Sequence, residues 1–261
     1  MSGVAGLARL GLAGLLVAFL VRPAAFGGLL APFAAGGRPA VYTQTPMLAL
    51  ALGHLALTAA AVTAAAGVAV AAGVFVTRPA GHEFLPLART LAGIGQTFPP
   101  VAVLALAVPA LGFGAGPTLV ALFLYALLPI LEMTMAGLEQ QPAEVAEAAR
   151  GMGMTGWQRL TRVDLPLAAP AILAGVRVAS VISLSTATIG STVAARTLGE
   201  VIVAGLQTGN GAFVLQGALA VGGLAIAVNA GFLALERRAQ ARAGWRPRSR
   251  PKARLQDARP G

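Results

Sequence analysis

The sequence predicts an all-α, polytopic transmembrane bundle of about six spans, and three observations carry that prediction. Hydrophobic residues make up 57% of the 261 residues and charged residues only 11%, with a mean hydropathy of +0.77. A soluble domain is closer to 45–50% apolar and about 25% charged. The apolar residues also fall in runs: Pro39 to Thr77, Thr90 to Leu131, Val178 to Ala195 and Val201 to Leu235 contain no Asp, Glu, Lys or Arg, and a spanning helix needs about 20 predominantly apolar residues. Finally, the charge that is present gathers in one internal loop and at the C-terminal end.

In chain order the spans are expected near 5–21, 47–76, 84–111, 118–137, 168–190 and 213–235. The first, Arg9 followed by apolar sequence to Val21 and then Pro23-Ala24-Ala25, reads either as an uncleaved anchor or as a secretory signal. Both readings leave Arg22 to Thr45 outside. The Thr90–Leu131 run is too long for one span, since roughly 40 helical residues rising about 1.5 Å each would reach about 60 Å, twice the hydrocarbon thickness. Gly112-Phe113-Gly114-Ala115-Gly116-Pro117 is the place for it to turn back, because Gly permits positive φ and Pro presets a helix start. Pro99-Pro100 removes two backbone donors and must kink or break the third span, and broken helices can line a solute path. Gln96, Thr97, Tyr125, Thr186 and Thr188 are the polar candidates for that path, with ordinary interhelical hydrogen bonding as the plainer role.

The net charge of +10 and a pI near 11.7 do not indicate nucleic acid. Arg237, Arg238, Arg242, Arg246, Arg248, Arg250, Lys252, Arg254 and Arg259, nearly half of the basic residues, follow directly on the last span. Such juxtamembrane clusters mark a cytoplasmic side and attract anionic membrane lipid. Placing them inside also places Arg9, Arg78, Arg89 and the Arg150–Arg162 segment inside, and leaves Arg22, Arg38 and Arg196 outside. Both termini are then cytoplasmic. The organisation expected is an anchor span and outer loop over 1–46, a transmembrane domain over 47–235 and a basic, disordered tail over 236–261.

Residues 139–166 form the one charged internal loop, between the fourth and fifth spans. Pro142 suits a first helical turn, Glu144 and Glu147 favour the positive N-terminal end, and Val145, Ala148, Ala149 and Met152 fall at i, i+3, i+4, i+7. Gly151 and Gly153 end that helix, and Thr155-Gly156-Trp157-Gln158 has capping-box spacing for a second one, closed by Leu165-Pro166. The product is a bent surface elbow; a merely amphipathic interfacial loop is the alternative.

Here a resemblance enters. Glu147-Ala148-Ala149, three residues, Gly153, nine residues, Val163, one residue, Leu165-Pro166 is similar to the EAA loop of binding-protein-dependent ABC importer permeases, EAA-x3-G-x9-I-x-LP, with Val163 for Ile as the one departure. The resemblance implies a MetI-like permease fold in a bacterial cytoplasmic membrane. It implies that Glu147, Ala148, Ala149, Gly153, Leu165 and Pro166 couple the chain to a cytoplasmic ABC ATPase. It also implies a second permease subunit, identical or paralogous, and an extracytoplasmic substrate-binding protein. Gly95-Gln96-Thr97-Phe98-Pro99, Leu122 to Ile130, Glu147 to Thr155 and Leu173 to Ala179 further resemble the osmoprotectant branch that carries glycine betaine, choline or carnitine. Pro100, Glu132-Met133 and Ser185-Thr186-Ala187-Thr188 depart from that branch's usual residues, so an amino acid or other small polar solute is the alternative cargo.

The remaining residues exclude rival classes. There is no His-Glu-x-x-His, the single lysine, Lys252, is in the tail, and no cysteine is present, so zinc-protease, Ser-Lys and thiol chemistry have no residues to work with. No Gly-x-x-x-x-Gly-Lys-Ser/Thr loop exists either. ATP and Mg are expected on a partner chain, with no cofactor or metal on this one. A secondary carrier would want buried coupling carboxylates, and Glu132 is the one candidate expected within the membrane. Arg177, about three turns beyond Pro166, is expected to pair with Glu132 or to snorkel. His54 and His82 are expected as surface or packing residues. Trp157 and Trp245 fall on the cytoplasmic side, and the spans hold few aromatics for a quaternary-ammonium cage. Capture of the solute is therefore expected on the separate binding protein.

Overall fold

The structure, a computed structural model, describes residues 2–34 and 36–242, and for 2–10 the backbone alone. The described residues form α1 (Ser2–Val21), α2 (Met47–Val76), α3 (Leu85–Thr97), α4 (Pro100–Leu111), α5 (Ala115–Glu139), α6 (Ala143–Gly151), α7 (Gly156–Arg159), α8 (Leu165–Ala187), α9 (Gly199–Thr208) and α10 (Gly211–Arg242), with short helical turns between some of them. Among the described residues, four uninterrupted helices are long and apolar enough to cross a membrane: Met47–Val76, Ala115–Glu139, Gly156–Ala187 and Gly211–Arg242. Two bent pairs, Gly11–Val21 with Pro23–Phe33 at 108° and His82–Thr97 with Pro100–Leu111 at 95°, bring the number to six when each counts as one span.

Helix α5 lies at the centre, packed on α2 and α8. The α5–α8 seam is close because glycines sit where a side chain would collide: a Cβ on Gly137 would lie 2.8 Å from that of Ala171, and one on Gly175 would lie 2.8 Å from Met133 Cβ. In lipid, where tails are as apolar as leucine, such tight small-residue packing is what holds helices together. The two largest apolar clusters among the described residues lie toward opposite ends of α2. One, at the end where α2 begins, gathers Phe19, Leu30, Tyr42, Met47, Leu198, Val201 and Leu224; the other, toward the end where α2 finishes, gathers Val62, Val76, Ala126, Ile130, Leu131 and Met135.

Several expected boundaries shift. The third span, expected near 84–111, is not one rod: Pro99-Pro100 stops α3 at Thr97, and α4 sets off at 95°. The expected outer loop Arg22–Thr45 contains helical turns over Pro23–Phe26, Gly27–Leu30 and Ala31–Phe33. Leu165-Pro166 does not close the second elbow helix. Instead α7 passes through a π-helical turn, Leu160–Asp164, in which Leu165 N–H reaches back to Leu160 O, and runs straight on into α8. Pro166, the second residue of α8, has no N–H to give to the carbonyls of that widened turn. The last helix does not end at Leu235 but continues to Arg242, so the expected disordered tail begins with helix. The Arg9 side chain, Trp245 and the basic residues from Arg246 to Arg259 lie outside the described residues. The glycine turn falls where expected, with Gly112 at φ 74° and Gly114 at φ 117°.

A polar clamp holds the segment before α2. Tyr42 and Thr45 both donate to Glu200 Oε1, at 2.8 and 2.6 Å, while Tyr42 N–H donates to Gln216 Oε1 at 2.8 Å. Burial first, and then the hydrogen bond to Glu200, push the Tyr42 phenol pKa above its ordinary value, which keeps it a neutral donor. His54 is fully buried, as a packing residue: its Nε2 is 2.8 Å from Leu184 O, and its Nδ1 lies 3.3 Å from Leu198 N, whose N–H points to it. With Nδ1 accepting, the ring is the neutral Nε2–H tautomer and ties α2 to the turn before α9.

Candidate functional site

The elbow is built as local chemistry dictates. Helix α6 starts after Pro142 and carries Glu144 in its first turn and Arg150 in its last, each favourable to the helix dipole. It ends in a Schellman arrangement, with Gly153 N–H on Arg150 O at 2.9 Å and Met154 N–H on Ala149 O at 3.1 Å. Gly153, at φ 72°, occupies the left-handed position that motif requires. The capping box is complete: Gln158 N–H donates to Thr155 Oγ1 at 3.2 Å, and Thr155 N–H to Gln158 Oε1 at 2.9 Å.

The greasy face of α6 divides. Ala149 is buried and Val145 half-buried, whereas Ala148 and Met152 face out, Met152 being 67% exposed. Trp157, on the next helix, is 72% exposed. Glu147, Ala148, Met152 and Trp157 therefore lie on the open surface of the elbow, and of these the exposed Met152 and Trp157 are residue types enriched at protein interfaces. Leu165 and Pro166 lie at the other end of the elbow, where it joins α8.

A second group surrounds the break in the third span. Pro129, inside α5, has no N–H to give to the carbonyl of Tyr125 four residues earlier. Gln96 Nε2 supplies that bond from α3, at 2.9 Å. In return the Tyr125 hydroxyl donates to the carbonyl of Phe98, freed by the Pro99-Pro100 break. Thr97 Oγ1 donates to Ile94 O at 2.8 Å within its own turn. Thr186 lies in the last turn of α8 and Thr188 just beyond it, with Thr188 Oγ1 donating to Ser185 O at 2.7 Å. Val103, Tyr125, Ile182, Ile189 and Val193 pack that end of α8 against α4 and α5. Gln96, Thr97 and Tyr125 thus come together at the break, and two of the three bond backbone left open by proline. Replacing Tyr125 with Phe is expected to cost about 1–3 kcal/mol, the penalty of an abandoned carbonyl, visible as a lower unfolding temperature in detergent; an unchanged transition would show that the cap contributes nothing.

The expected Arg177–Glu132 pair does not form. Glu132 instead pairs with Arg89, at 2.9 and 3.3 Å, both half-exposed. Arg177 Nε meets Glu236 Oε1 at 2.6 Å and its Nη1 reaches Asn229 Oδ1 at 3.3 Å. The reason is the length of α10: because the helix runs past Leu235, Glu236 stays on the same face as Asn229, seven residues earlier, and both meet α8. That seven-residue spacing of two polar groups near the end of an apolar run was the available signal.

In this bundle the fifth span, α8, is entered through a bent polar elbow. The sequence profile of the family described as "binding-protein-dependent transport system inner membrane component" matches residues 69–241. The chain belongs to that family: it is a multi-pass inner-membrane permease subunit of an ABC importer and not an enzyme. Hydrolysis of ATP belongs to a partner chain, and the family implies a binding protein as well. Among its relatives, the osmoprotectant import permease protein OsmY of Salmonella typhimurium is 41% identical over 177 residues, 68% of this chain and 75% of that protein. The carnitine transport permease protein OpuCB of Listeria monocytogenes is 38% identical over 176 residues, 67% of this chain and 79% of that protein. The glycine betaine/carnitine/choline permease protein OpuCB of Bacillus subtilis is 36% identical over 171 residues, covering 62% and 77% of the two chains. An inward-facing structure of the MetNI methionine ABC transporter contains a chain that superposes with a TM-score of 0.65 at 22% identity, over 76% of this chain and 99% of that one; at that identity the likeness is one of fold.

Proposed function

We propose that this permease passes small quaternary-ammonium osmoprotectants, such as glycine betaine, choline or carnitine, handed to it by an extracytoplasmic binding protein. The observation that carries the reading is the relatives' shared cargo: proteins 36–41% identical to this chain are named for osmoprotectant, carnitine, choline or glycine betaine transport. Amino-acid cargo draws only on fold likeness at 22% and 18% identity, which does not fix a ligand.

In this reading the elbow and both termini face the cytoplasm of a bacterium. Glu147, Ala148, Ala149, Gly153, Leu165 and Pro166 couple the bundle to the ATPase, which alone binds ATP and Mg. Glu147 offers a carboxylate, Ala148 a close approach, Ala149 a packing contact to the bundle, Gly153 the bend, and Leu165-Pro166 the entry into α8. Two permease subunits, identical or paralogous, enclose the path, with Gln96, Thr97, Tyr125, Thr186 and Thr188 from each beside it. The chain divides into an anchor and outer segment over 1–46, a permease domain over 47–235 and a basic end that meets anionic lipid.

Uptake into proteoliposomes holding the permease, its ATPase and its binding protein tests the cargo. Glycine betaine, choline or carnitine is expected to accumulate with ATP at least about tenfold faster than methionine or histidine, a difference of about 1.4 kcal/mol. Amino-acid uptake equal to or above that of all three would overturn the assignment.

A further inference from the structure

Asp164 stands at the position that the loop signature leaves open, between Val163 and Leu165. Its side chain is 8% exposed, and its Oδ2 accepts from Arg78 Nη2 at 2.7 Å and from Arg159 Nε at 3.2 Å. Its backbone carbonyl accepts from Gln141 Nε2 at 2.8 Å. Four pieces of the fold meet here: Arg78 lies two residues past the end of α2, Gln141 follows α5, Arg159 ends α7, and Asp164 closes the π-helical turn that leads into α8. The widened turn inserts one residue, which rotates the following side chains by about 100° relative to an uninterrupted α-helix. A carboxylate this enclosed is costly unless paired and hydrogen-bonded, and here it has two cations. Glu139 lines the same small polar recess and is the other acid near the arginines.

The connectivity shows what such a node can do. The elbow is joined by the chain itself to α5 before it and α8 after it, so displacing the elbow moves both. Helix α2 has no such link, and Arg78 and Asp164 are 86 residues apart. We propose that the Arg78–Asp164–Arg159 cluster is the strut by which α2 follows the elbow, so that α2 and α8 move as one body when the ATPase shifts the elbow. Asp164 is thus a positioning residue for transport. This rests on the elbow being the ATPase-coupled part, and the controls separate the two ideas.

The test uses the assembled importer, with permease, ATPase and binding protein in proteoliposomes. Spin labels at Ala80 and Ala169 report the separation of the α2 and α8 ends with and without ATP and vanadate, and glycine betaine uptake is divided by phosphate released. In the unaltered protein the separation is expected to be the same in both nucleotide states. In Asp164→Asn it is expected to change between states, and uptake per ATP to fall about tenfold, within the 5–150-fold range of coupling between sites. Asp164→Glu should restore most of the ratio, and Arg78→Gln combined with Asp164→Asn should be no worse than the worse single variant, as for residues acting in one unit. Should Asp164→Asn fail to assemble, Arg78→Gln serves alone, since it leaves Asp164 paired with Arg159. A constant separation and an unchanged ratio in the assembled variant would overturn the strut. Gly153→Ile is run beside them: if it lowers the ratio while the strut variants do not, the elbow stands and the strut falls; if none lowers it, the elbow reading falls as well.

Discussion

Isoleucine in place of Gly153 is expected to lower solute uptake per ATP hydrolysed at least about tenfold, a coupling loss of about 1.4 kcal/mol, while the ATPase still co-purifies with the permease. The cause is backbone, not crowding. No atom lies within 4 Å of where a Cβ would be, so the new side chain has room. What it lacks is an acceptable conformation: at φ 72° an L-residue pays about 1–2 kcal/mol, and a β-branched one is a true outlier there. The chain is expected to relieve this by giving up the Gly153–Arg150 and Met154–Ala149 bonds, which changes the angle between α6 and α7 and therefore the direction in which a push on α6 is delivered to α8. Asparagine tolerates the left-handed region, so Gly153→Asn should keep most of the coupling. Paired uptake and phosphate-release assays on the reconstituted importer check this; an isoleucine variant with the normal ratio would mean that the bend is not what transmits movement.

The second large effect concerns stability. Removing either member of the Arg177–Glu236 pair, as in Arg177→Met or Glu236→Met, is expected to cost about 3–5 kcal/mol, because it strands the other charge in a poorly solvated place. The side chains are 25% and 11% exposed, so the arginine left alone should suffer less than the glutamate, and the lower half of that range applies to Glu236→Met. The double replacement should recover much of the loss, since two apolar groups in contact leave no charge behind. Thermal or denaturant unfolding of the four proteins in detergent forms the cycle. If the double variant is as unstable as the sum of the singles, the two residues are not acting on each other.

Much of this architecture was written plainly in the sequence. The spans announce themselves by the absence of charge, and the elbow by motifs whose geometry is short-range: Gly153 needs only its own φ, and the Thr155–Gln158 box closes over three residues. What escaped depended on long-range packing or on a helix running further than composition suggests. Arg177 found Glu236 because α10 does not stop where hydropathy falls, and Glu132 pairs with Arg89 instead of Arg177. The π-helical turn before Pro166 was invisible because a widened turn has no residue signature of its own; a proline that looked like a terminator is the first turn of the next span. Gln96 and Tyr125 stand out as polar groups in an apolar setting, and nothing in the local sequence says that each satisfies a carbonyl left open on the other's segment, one by Pro129 and one by the Pro99-Pro100 break.

That last exchange has a mechanical consequence. The sharp bend at Pro99-Pro100 has the appearance of a hinge, yet both arms are fastened to α5: Tyr125 bonds the end of α3, its hydroxyl to the Phe98 carbonyl and its carbonyl to Gln96, and Val103 and Leu104 of α4 pack with Ala121 and Tyr125. To pull α3 away from α5 the protein would have to abandon hydrogen bonds in a medium that offers no replacements. The bent pair is a bracket riveted to the central helix, and it travels wherever that helix goes.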